Sequence, residues 1–136
     1  MTISSLSLFC EDIRNEVGGL ETLVGIFPDN IAFSKGFPST LAKFGIYTRI
    51  SFDVNKPPKF LRIRIVGVEG EIISDAEMDE ELIAQAVLES KKSDSPLAGV
   101  KQIALASPLV VKSKGRIIVY LVSEKEETIA GILNFI

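Results

Sequence analysis

A chain of 136 residues that is 46% hydrophobic, with eight phenylalanines and no tryptophan, is sized for one domain, residues 1–136, around a single core. Fifteen basic against eighteen acidic residues leave a net charge of −3, which is not the basic balance of a general nucleic-acid binder. One cysteine excludes an intramolecular disulfide. The absence of histidine removes the commonest general base and metal ligand, so a Ser-His or Cys-His mechanism cannot be built within this chain.

The start, MTISSLSLFCEDIR, has no basic n-region, and serines and acids interrupt its apolar run. Neither a signal peptide nor a membrane span is expected, and the lone cysteine suits a reducing, cytoplasmic setting. Leu6, Leu8 and Cys10 fall on one side of an extended segment, with Ser7 and Phe9 on the other. Gly18-Gly19 then separates this run from the apolar stretch 20–27, which predicts two antiparallel strands with a polar connection.

The clearest strand is 44–54, where Phe44, Ile46, Thr48, Ile50, Phe52 and Val54 alternate with Gly45, Tyr47, Arg49, Ser51 and Asp53. Pro57-Pro58 breaks it, because proline supplies no ladder donor. Leu61, Ile63 and Ile65 alternate with Arg62 and Arg64 in the next strand.

From Ser74 the period changes. Ser74-Asp75-Ala76-Glu77 reads as a capping box, acids crowd the turn after it, and Met78, Leu82 and Ala86 form a stripe with Ile83 and Val87 beside it. A short helix is expected over about 76–91, ended before Ser93-Asp94-Ser95-Pro96. Strand character returns at 100–105, 109–111, 116–122 and 129–136. Seven or eight short strands with one inserted helix predict an all-β, antiparallel immunoglobulin-like sandwich, since one helix cannot supply the crossovers of a parallel sheet.

Residues Cys10, Glu11, Asp12, Ile13, Arg14, Glu16, Gly19, Leu23, Gly25 and Ile26 carry a resemblance. The stretch LFCEDIRNEVGGLETLVGIFPDNI resembles the N-terminal signature of a family of small bacterial and phage-associated proteins, a domain of unknown function. The segment 115–135 looks like the last hairpin of an immunoglobulin-like sandwich. The resemblance covers about a third of the chain and implies a fold rather than an activity. Glu11 stands where that signature has Asp, and Leu20-Glu21 where a turn lysine is usual.

Three groups of side chains could carry chemistry. Cys10 is either a nucleophile, which needs exposure and a nearby cation, or a buried strand cysteine; its neighbours Glu11 and Asp12 oppose the first. Glu11, Asp12 and Glu16 could offer oxygen ligands to a hard cation, but their spacing is not that of an EF-hand loop, and a turn or ion pair with Arg14 is the plainer reading. Arg49, Arg62 and Arg64, with Tyr47 among them, share a face if strands 44–54 and 60–67 pair, and could then grip phosphate or carboxylate. The alternative is a solvated face whose arginines pair with nearby acids.

Neither a phosphate loop nor a dinucleotide fingerprint is present. The expectation is therefore a non-enzymatic binding or assembly module, without metal or cofactor, whose alternative is a binder of a small anionic, nucleotide-like ligand. Apolar groups on both faces of 129–136 predict a protein partner or a homodimer, with Ile132, Asn134 and Ile136 at the interface.

Overall fold

The computed structural model describes residues 3–136. In chain order the elements are β1 (Ser4–Asn15), β2 (Glu21–Ile26), β3 (Asn30–Ile31), β4 (Ser39–Leu41), β5 (Phe44–Asp53), β6 (Leu61–Val66) and β7 (Ile72–Glu77). There follow α1 (Glu80–Lys92), β8 (Leu97–Ala106), β9 (Leu109–Val111), β10 (Gly115–Ser123) and β11 (Glu127–Phe135). A four-stranded sheet in the order β2-β1-β5-β8 packs on a five-stranded sheet in the order β3-β11-β10-β6-β7, and β4 and β9 form a small third ladder. The fold is a β-sandwich with one helix.

Its connectivity follows from the alternation in the sequence. β1-β5-β8 in one sheet and β7-β6-β10-β11 in the other reproduce the A-B-E and C′-C-F-G order of an immunoglobulin-type sandwich. Ile46, Thr48, Ile50 and Phe52 of β5 face Leu61, Ile63 and Ile65 of β6 from opposite sheets, and Ile117, Val119 and Leu121 of β10 join them in one core. A side chain of this kind removed fully from water stabilises the fold by roughly 1.5–3 kcal/mol. No helix among the described residues is long and apolar enough to cross a membrane.

There are eleven strands among the described residues where seven or eight are expected, and the consequential addition is β7. Ser74-Asp75-Ala76-Glu77 is not a capping box. It pairs antiparallel with β6, setting Asp75 opposite Arg64 and Glu77 opposite Arg62. Opposite charges facing across a ladder favour the strand, and the Met78 N–H extends it by donating to the Leu61 carbonyl at 2.7 Å. The helix starts four residues later than expected, at Glu80, where the Asp79 side chain accepts from the Glu81 N–H at 3.0 Å.

In β1 the side carrying Ser7 and Phe9 faces the interior, while Leu6 is 59% exposed. The Ser7 hydroxyl is hydrogen-bonded to Thr48 Oγ1 at 2.8 Å, so the two interior hydroxyls satisfy each other. Across the sandwich lies Gly131, where a Cβ would sit 2.7 Å from that of Ser7. Beside it the ladder between β10 and β11 slips by one residue, which reverses the alternation of β11 so that Ala130, Leu133 and Phe135 are all buried.

Candidate functional site

β5 and β6 lie in different sheets and do not pair, so the three arginines do not share a face. The reason is the segment between them. Pro57-Pro58 does not close a hairpin, and the chain crosses from one sheet to the other. Because both strands turn their isoleucines into the same interior, their outward side chains point to opposite sides of the molecule. Arg62 Nε donates to Asp75 Oδ1 at 2.6 Å, and this bond with its charge attraction holds the guanidinium pKa further up. Arg64 lies 3.8 Å from Asp75 and 3.7 Å from Glu127. These two arginines are paired with acids on the outer face of the five-stranded sheet, and Tyr120, not Tyr47, stands opposite Arg64 in register.

Arg49 is different. It stands beside Tyr47 on the outer face of the four-stranded sheet, and it makes no ion pair among the described residues. The two side chains, two positions apart on one strand, are about 7 Å apart at their roots. α1 runs alongside β8 and turns this face into a trough of about 780 Å³, lined by Tyr47, Arg49 and Lys101 from the sheet and by Leu82, Gln85 and Glu89 from the helix.

Helical spacing explains which side of α1 does this. Ile83, Ala86, Val87 and Ser90 recur at i, i+3, i+4 and i+7 and turn toward the sandwich. Leu82 is left 54% exposed beside the trough, and Leu97 at the start of β8 is 45% exposed. On the other flank of the helix Ala84, Val87 and Leu88 border a second groove of about 650 Å³ against Pro57 and Pro58.

The same outer face explains Cys10. β1 pairs with β5 through residues 4–10 and with β2 through residues 10–15, and the β1–β2 hairpin folds back over the sheet. Gly18 and Gly19, both at positive φ (86° and 78°), form its turn. Ile13 rests on Gly45, where a Cβ would lie 3.0 Å from the Ile13 side chain and 3.3 Å from Leu105. Lys101 of β8 is ion-paired with Glu21 of β2, which ties the hairpin down. Cys10 lies beneath, wholly buried, with its thiol donating to the Gly45 carbonyl at 3.6 Å. Burial pushes that thiol pKa up, against the opposing hydrogen bond of the Asp12 backbone, while the Asp12 charge adds to the rise. The burial expected for Cys10 is present, but beneath a hairpin and outside the main core.

The acidic segment is engaged locally. Asp12 accepts from the Ile13 N–H at 2.9 Å and lies 3.6 Å from Lys43, so its ion-pair partner is not Arg14. Glu11 packs over Gly25. Among the described residues no three His, Cys, Asp or Glu side chains gather as a metal site.

The last strand is covered in part. β3 pairs with it at Asn134 and Phe135, the Asn134 side chain and backbone both donate to the Asp29 carbonyl, and the Ile136 N–H donates to Ile31. Ile132 and Asn134 are half-buried, and Ile136 is 64% exposed.

Leu82, Gln85, Leu97 and Lys101 belong to the trough and are missed by sequence reasoning. Placing the helix start at Asp79 is the signal that frees Leu82 from the buried stripe. Comparison with protein-family models, with curated proteins and with solved structures returns no match.

Proposed function

We propose that the protein is a non-enzymatic binding or assembly module, and that the trough between α1 and the outer face of β5 and β8 receives a segment of a protein partner. That segment carries a carboxylate beside an apolar side chain. The observation that supports this reading is Arg49, which makes no ion pair among the described residues although Glu89 also lines the trough, while exposed Leu82 and Leu97 border it. A guanidinium binds a carboxylate through two parallel N–H donors, and arginine is enriched among the few residues that dominate the binding energy of protein interfaces. The absence of histidine fits a binding role. A free thiol kept buried suits a cytoplasmic setting.

Affinity capture from the cells that encode the protein, with wild type and an Arg49→Glu/Leu82→Glu variant side by side, tests this. A partner held in stoichiometric amount by the wild type should fall at least about tenfold with the variant, at an unchanged melting temperature. Equal retention by both excludes the trough.

The second reading is a small anionic ligand held by Arg49 in the same trough, and the same unpaired guanidinium favours it. Calorimetry against a nucleotide panel separates the two readings. Arg49→Ala should abolish such binding, and Arg62→Ala/Arg64→Ala should leave it intact, because those arginines already have acidic partners. Assembly with a second copy along β11 is a separate proposal, favoured by exposed Ile129 and Ile136. Sedimentation as a monomer throughout the micromolar range rules it out.

A further inference from the structure

A cavity of about 210 Å³ lies between the two sheets, along the side where β7 and β8 are the outermost strands. Phe44, Ile46, Ile65 and Leu109 give it apolar walls, and Ser74 and Gln102 supply polar groups. Ile73 and Leu105 also line it and are themselves exposed, so the cavity opens to solvent beside them.

Gln102 is the unusual member. Its Oε1 is buried and has no hydrogen-bond partner among the described residues. Its register partner across the ladder is Thr48, whose hydroxyl is already bonded to Ser7. An acceptor in the cavity wall that has no partner within the chain, set among apolar walls, favours an incoming donor over a purely apolar guest. The volume sets the size of that guest. Apolar cavities of about 150 Å³ take up benzene, so this one has room for a fused pair of rings.

We propose that this cavity is a binding site for a compact, largely apolar molecule of about bicyclic size that carries one hydrogen-bond donor, and that the donor is received by Gln102 Oε1. The site is separate from the trough beside α1 and stands or falls independently of it. The donor fixes orientation while the rings supply the buried area, the usual division of labour in small-molecule sites.

Indole and indene test this, since they share a shape and differ in the N–H. Titrated into the folded protein and followed by amide chemical shifts, indole should perturb Ile73, Ser74, Gln102 and Ala104 and bind at least about tenfold more tightly than indene. The Gln102→Leu variant should bind both equally. Should that variant fail to fold, the wild-type comparison decides alone. Equal affinity of the wild type for the two probes, perturbations mapping elsewhere, or no perturbation up to the solubility limit overturns the proposal.

Discussion

Ser7 and Thr48 form a buried polar pair between the sheets, and each hydroxyl is the other's partner. Ser7→Ala leaves Thr48 Oγ1 buried without a partner, which costs about 1–3 kcal/mol. Ser7→Ala/Thr48→Val removes both groups, so urea denaturation should show the double variant losing less than the sum of the two singles. Cys10 gives a second residue-scale expectation. The native thiol should resist labelling at about pH 8 and react at once in denaturant, because it is buried and its pKa is raised. A folded-state pKa above the unfolded value stabilises the fold below the unfolded pKa, and that contribution is lost as pH rises through the folded pKa. The stability margin of wild type over Cys10→Ala should therefore narrow on the alkaline side. Rapid labelling of the folded protein contradicts the burial.

Among the elements, the curled β1–β2 hairpin depends on a missing side chain. Gly45→Val places methyls against Ile13 and Leu105, which are already within 3.3 Å of the position of a Cβ. The fold should lose about 1–3 kcal/mol to overpacking, and Cys10 should become labelled faster in the folded state as the hairpin lifts. Unchanged labelling contradicts the hairpin's role as the cover of Cys10. These elements also show what the sequence made legible. β5 and β6 are readable because each alternates without interruption between one apolar interior and solvent. β7 is not, because its inward residues are Ser74 and Ala76, too small to print a period of two, and its acids imitate a helix start. The shared arginine face is illegible for a related reason. Alternation reports which residues share a face of one strand, but not whether two strands share a sheet. Pro57-Pro58 marks the break without saying that the chain crosses over.

At the scale of the whole molecule, the sandwich brings together what the sequence keeps apart. Strands β5 and β8, whose paired residues lie 44 to 62 positions apart in the chain, pair along ten residues, and α1, inserted just before β8, lies alongside them. That insertion gives the outer face of one sheet a wall, two exposed leucines and an arginine that makes no ion pair among the described residues, while on the outer face of the other sheet Arg62 and Arg64 are paired with Asp75 and Glu127. The central claim is that the walled face is the one that meets a partner. Site-directed photo-cross-linking tests it most directly, with a photoreactive phenylalanine analogue placed at position 82 on α1 or at position 132 on β11. The account predicts a defined adduct with a different protein from position 82 and none with a different protein from position 132, where only the separate β11 self-assembly would cross-link. Adducts from position 132 alone, or from neither position, contradict it.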